Sequence, residues 1–283
     1  MQDLGTTRPS LPRSNEKRLH GVAKSKNHYV IGVDEAGRGP LAGPVVAAAF
    51  TILRTGKEAI PTIPINLTRG VTDSKQVTED EREFLYHTHI KSNSGIKYKV
   101  SVVDNKTIDR INILQATFQA MTESATALID EIRTKIDPSA KFSILIDGNK
   151  IPPRLAESEH VAEFLIKGDS IEFVIAAASI CAKVERDAIM YALDKQFPMY
   201  GFGQHKGYPT GSHVAAVHAH GPCKHHRMTF APIKHMKKAK SVGRKENIQN
   251  ENNNSNESFK RKEALIVDPR EERLKRRNIL RGN

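Results

Sequence analysis

The feature that most constrains this chain is its alternation of short apolar runs with two long stretches of helical period. Residues 29–34 (YVIGVD) and 44–52 are short apolar runs of the kind that form buried strands. Residues 97–103 alternate like a half-buried strand, 142–147 (FSILID) form another buried run, and 163–167 a shorter one. Residues 107–132 place Ile108, Ile111, Leu114, Phe118, Met121, Ala125, Leu128 and Ile132 three or four apart. That spacing is one face of a long amphipathic helix. Residues 172–197 read as a second long helix, rich in alanine where it would pack closely. Strands first and mixed strand–helix units afterwards predict an α/β layer fold, with one central mixed sheet flanked by helices.

Charge divides the chain into a neutral body and basic ends. Residues 1–30 carry six Lys/Arg against two acids, residues 231–283 fifteen against seven, and the middle 23 of each, for a net +12. This fits a polyanionic partner, and it equally fits tails that only keep the protein in solution. Residues 1–27, polar and without periodicity, read as a disordered N-terminal extension; their acid-poor, Arg-bearing start also fits an organellar transit peptide. Residues 28–235 form the body. Residues 236–283 read as a basic low-complexity tail, with an Asn-rich linker at 241–258 and a thinly apolar helical stretch at 259–281.

No apolar run approaches the ~18–20 residues a spanning helix needs, so no membrane partner is expected. Two cysteines, Cys181 and Cys223, are too few for a disulfide framework and point to a reducing compartment. A cytoplasmic protein is expected, or an organellar or nuclear one if the extension is a targeting segment in a eukaryote. Cys181 reads as a core residue, and 53–70 as a surface loop.

Four acids stand where ligand sites of open α/β sheets lie, at the carboxyl ends of strands. Asp34 and Glu35 follow one apolar run, Asp147 ends another before Gly148, and Asp169 follows Lys167 and Gly168 just ahead of the second helix. Adjacent Asp34 and Glu35 point apart if extended, so a turn permitted by Gly37 is expected to bring both to one site. Four gathered carboxylates repel unless hard divalent cations neutralise them, which makes Mg²⁺ or Mn²⁺ the economical cofactor. Two such ions ~3.5–4 Å apart clamp a phosphoryl centre. Taken singly, each acid also fits a surface charge or a helix cap, Asp169 before Ser170 most of all.

Beside the first pair stands Gly37-Arg38-Gly39-Pro40. Its glycines let backbone amides approach a substrate and its arginine can pair with phosphate, although a plain turn has the same composition. Lys183 and Arg186, near one another on the second helix, fit contacts to a nucleic-acid backbone or a solvated face. His205, His213, His218, His220, His225 and His226, with Cys223, have irregular spacing; they read as a polar surface rather than a zinc site.

Segments in sequence order resemble the ribonuclease HII family: 33–47 (VDEAGRGPLAGPVVA), Thr72-Asp73-Ser74-Lys75, 112–117 (NILQAT), Asp147-Gly148-Asn149, Lys167-Gly168-Asp169-Ser170, 176–187 (AAASICAKVERD), and Gly207-Tyr208-Pro209-Thr210 followed by His213 and His226-Arg227. The resemblance spans about residues 28–231. It implies a ribonuclease-H-like fold with a C-terminal helical portion, and an endonuclease that cuts RNA in RNA–DNA hybrids and at ribonucleotides embedded in duplex DNA. It implies that Asp34, Glu35, Asp147 and Asp169 are the metal-binding catalytic carboxylates. It implies that Gly37, Arg38 and Gly39 read a ribose 2′-OH through their backbone, that Tyr208 stacks on the next deoxyribose, and that Lys75 contacts phosphates near the cut. Relatives of this kind act largely as monomers. Ribonuclease HIII would carry an additional N-terminal domain, for which residues 1–27 are too short. A binding module without catalysis would have no reason to hold four acids against phosphate.

Overall fold

The computed structural model describes residues 11–23, 27–53, 67, 71 and 77–236, apart from the side chains of 22 and 23. Thr72–Lys75 of the family motif, most of the 53–70 loop and the tail lie outside them.

Five strands form one mixed sheet: β1 (His28–Ala36), β2 (Val45–Ile52), β3 (Ile96–Val103), β4 (Lys141–Asp147) and β5 (Val161–Leu165), in the order β3-β2-β1-β4-β5. β1–β2 and β2–β3 are antiparallel; β1–β4 and β4–β5 are parallel. Besides helix α1 (Ser14–Ala23), the described residues form α2 (Glu79–Phe84), α3 (Asn105–Lys135), α4 (Pro153–Ala156), α5 (Phe173–Gln196), α6 (Phe202–His205) and α7 (Gly211–His220).

Strand alternation divides the core. Tyr29, Ile31 and Val33 of β1 pack with Ile144, Ile146 and the apolar stripe of α3 on one face. Val30, Phe50 and Leu145 pack with α5 on the other. Cys181 is buried in that second core, as expected. β1 approaches α5 so closely that a Cβ on Gly32 would stand 2.2 Å from the Val174 carbonyl carbon. Only glycine permits this contact of backbone on backbone.

The long helices match the expected periods, but α3 extends further at both ends. Asp104 caps it by accepting from the Thr107 amide at 2.8 Å. Asn112 interrupts its helical dihedrals at φ 66°, and its side chain accepts from the Gln115 amide at 3.1 Å. The fifth strand ends at Leu165 rather than at residue 167, because Lys167 turns into the left-handed region at φ 56°. α2 has no counterpart in the apolar periodicity. Its signal is a capping box: the Thr78 hydroxyl accepts from the Glu81 amide and Glu81 accepts from the Thr78 amide.

The expected disorder of 1–27 is corrected over α1. Leu19 joins the α5 core, and the buried Glu172 carboxylate accepts from the backbone amides of Asn15 and Glu16, capping the helix from across the chain. Arg13 pairs with the buried Glu16. A helix with so few apolar residues gives little periodicity; a carboxylate more than 150 residues away in sequence holds it.

Candidate active site

The sheet register gathers the acids. Val33 of β1 lies opposite Ile146 of β4 in the parallel pair, so Asp34 and Asp147 follow at the ends of neighbouring strands. Both have the parity of Gly32 and Leu145, which selects the α5 face. β1 continues through Glu35 to Ala36, and the turn expected at Gly37 follows there, with φ +96°. Asp169 lies in the single turn Gly168–Ser170 and is buried. It does not cap α5, since Glu172 occupies that position. The Gly168 amide donates to Asp147 Oδ1 at 2.6 Å, tying this turn to the end of β4.

Asp34, Glu35, Asp147 and Asp169 all line one cavity of about 450 Å³, together with Gly37, Arg38, Gly39 and Tyr208. Burial and the neighbouring charges of Glu35 and Asp147 push the Asp34 carboxyl well above its usual range, while the Ser179 hydroxyl pulls it down. Burial also raises Glu35, with Arg38 opposing and Asp147 adding to the shift. Arg38 Nη1 donates to Glu35 Oε1 at 3.3 Å, whereas the buried Glu35 Oε2 has no hydrogen-bond partner among the described residues. Crowded carboxylates with an unpartnered buried oxygen are a donor set suited to a hard cation.

Lys183 lines the cavity and pairs with Asp187 at 2.7 Å. Arg186, expected beside it as a nucleic-acid contact or on a solvated face, is instead only 1% exposed. It donates to the carbonyls of Pro44 at 3.1 Å, Lys206 at 3.0 Å and Ala42 at 3.4 Å. Those carbonyls, rather than its place on the helix, hold the Arg186 guanidinium behind the glycine loop and out of the cavity lining. Tyr208 is half exposed at the rim, 5.9 Å from the Arg186 guanidinium. Lys75 lies outside the described residues.

Sequence reasoning missed two residues that line the cavity. Ser179 was hidden as one polar position in an apolar helix, although it faces Asp34. Arg82 sits in the unread helix α2, anchored by donation to the Val77 carbonyl.

Of the six histidines, His218 and His220 are exposed, as expected of a polar surface, but two are drawn inside. His213 and His226 are buried, and their partners fix their tautomers. The Cys223 amide donates to His226 Nδ1 at 2.9 Å, which leaves the proton on His226 Nε2. That proton meets His213 Nε2 at 3.1 Å, and His213 Nδ1 donates to the Tyr208 carbonyl at 2.9 Å. Burial, then proximity to His213, lowers His226 to about 4, so the chain of bonds is neutral at ordinary pH. The fold stabilises the neutral ring, so this contribution is full above the ordinary value of 6.5 and is lost as pH falls towards about 4. Melting temperature is expected to fall over that range, and less steeply in His226→Gln. Parallel slopes in thermal unfolding at several pH values would count against the assignment.

Acids at the ends of two parallel central strands, beneath a long helix of a five-stranded mixed sheet, define the class: an α/β enzyme of the ribonuclease-H-like fold. The family model described as Ribonuclease HII matches residues 31–233. The ribonuclease HII of Geobacter metallireducens is 46% identical over 214 residues, covering 75% of this chain and 88% of that protein. The solved ribonuclease H2 of Pyrococcus horikoshii OT3 matches with a TM-score of 0.52 at 28% identity, covering 73% of this chain and 96% of that one. Bst-RNase HIII, solved in complex with Mn²⁺, shares the fold with a TM-score of 0.54 at 20% identity, covering 74% of this chain and 68% of that one. The chain belongs to the ribonuclease HII family. It is a ribonuclease H, a nuclease acting on RNA–DNA hybrids. Among the described residues no helix is long and apolar enough to cross a membrane.

Proposed function

We propose that the chain cuts duplex DNA on the 5′ side of an embedded ribonucleotide, as well as the RNA of longer hybrids, leaving 5′-phosphate and 3′-hydroxyl ends. Asp34, Glu35, Asp147 and Asp169 would hold Mg²⁺ or Mn²⁺. The observation that carries this reading is the single cavity shared by those acids, the Gly37-Arg38-Gly39 loop and Tyr208. The complex of Bst-RNase HIII with Mn²⁺ agrees with the choice of metal.

Among the described residues no three His, Cys, Asp or Glu side chains are already gathered as a metal shell. When bound, divalent cations supply charge neutralisation and Lewis-acid stabilisation at the phosphoryl centre.

The remaining work falls to the chain. Ser179 and the Gly168 amide orient Asp34 and Asp147. Arg82 and Lys183 offer positive charge to backbone phosphates at the cavity wall. The loop amides meet the ribose 2′-OH, which distinguishes RNA from DNA, and Tyr208 packs on the following deoxyribose. The reaction adds water across the phosphodiester: its oxygen joins phosphorus, the bond from phosphorus to O3′ breaks, and O3′ takes a proton. No side-chain nucleophile is needed. The protein is proposed to act as a monomer.

The test is cleavage of a DNA duplex carrying one ribonucleotide, beside an all-DNA control, in Mg²⁺ and in EDTA. The expected result is one metal-dependent cut 5′ of the ribonucleotide and an intact control. Cleavage of a long hybrid without cleavage of this substrate would remove the junction reading and keep the nuclease.

A further inference from the structure

The loop that faces the ribose is held from behind by two buried guanidiniums. Arg227 is 0% exposed and, like Arg186, forms no ion pair among the described residues. It donates to the carbonyls of Gly37 at 2.6 Å, Arg38 at 2.9 Å, Gly43 at 3.0 Å and Pro44 at 3.1 Å. Burying two like charges together is unfavourable, and apolar side chains would fill the space at lower cost. What the guanidinium alone supplies is a rigid fork of donors, able to gather several carbonyls onto one point.

That gathering has a geometric consequence. In a planar trans peptide the C=O of one residue and the N–H of the next point in opposite directions. Drawing the Gly37 and Arg38 carbonyls onto Arg227 therefore turns the amides of Arg38 and Gly39 away from it. Among the described residues neither amide donates a hydrogen bond, and both residues line the cavity.

We propose that Arg227 is the positioning residue for ribose recognition: it sets the peptide planes of the Gly37-Arg38-Gly39 loop so that two free amides face the 2′-OH. This rests on the reading of that loop given above. Arg227 touches no substrate and acts through the loop. Its own segment is anchored on α3, where the Asp109 carboxylate accepts from the Met228 and Thr229 amides at 2.8 and 3.0 Å.

The readout is discrimination rather than affinity. In an Asp34→Asn background, binding is measured to a duplex with one ribonucleotide and to the same duplex in all-DNA form, with Arg227 intact or changed to Lys. The expected result is a ribonucleotide-to-DNA affinity ratio lowered about tenfold, the size of one lost oriented hydrogen bond, with all-DNA binding little changed. A merely structural defect would weaken both duplexes alike, and an unchanged ratio overturns the proposal. If Arg227→Lys does not fold, Asp109→Ala takes its place, loosening the segment without emptying the core. A lowered ratio there supports the proposal and an unchanged one overturns it. Absence of discrimination with Arg227 intact would instead reject the loop reading itself.

Discussion

Asp34→Asn is expected to lower single-turnover cleavage of an RNA–DNA hybrid by on the order of a thousandfold or more, since the stabilisation at stake is several kcal/mol. Hybrid binding should change little. The substitution keeps the shape of the side chain and removes one charge from the centre of the acidic group. Burial and the charges of Glu35 and Asp147 push the Asp34 carboxyl well above the ordinary range. The same change should raise the melting temperature in EDTA, because it relieves a buried like-charge repulsion that does nothing for folding and that the proposed site would keep for catalysis. Loss of turnover with a stabilised fold separates a catalytic acid from a structural one. A cleavage rate within tenfold of the parent would reject the site.

Gly32→Ala should produce a large loss of stability from a single added methyl group. Its Cβ would meet the Val174 carbonyl carbon at 2.2 Å, its oxygen at 2.3 Å and the Ile175 amide nitrogen at 2.5 Å. These are helix backbone atoms, which cannot turn aside as a side chain can. α5 must therefore shift away from β1. An overpacking cost of about 3 kcal/mol is expected, lowering the melting temperature by roughly 6–12 °C in a protein of this size. Activity should fall further than stability explains, because α5 carries Ser179 and Lys183 into the cavity. A midpoint within about 2 °C of the parent, under one kcal/mol, would show that the helix accommodates the methyl freely.

The elements and the four acids were legible in sequence for physical reasons. Burial of a sheet on both faces demands continuous apolar strands, and 29–34 and 142–147 supply them. Helix α3 declares itself because one stripe must meet the sheet. Acids at the ends of such runs stand out because a carboxylate is rarely placed against an apolar core without a partner or a task. Segments whose partners are distant and polar were illegible. α1 depends on Glu172, and the buried histidines depend on one another and on the Tyr208 carbonyl.

Sequence alone determined which residue types are present, where the apolar periods begin and end, and that four carboxylates would follow strands. Only the tertiary structure decided which acids are neighbours, because that depends on the parallel register of β1 on β4. It also decided that Arg186 and Arg227 point inward. Carbonyls distant in sequence draw these charged side chains inward, and such partners leave no period in the sequence.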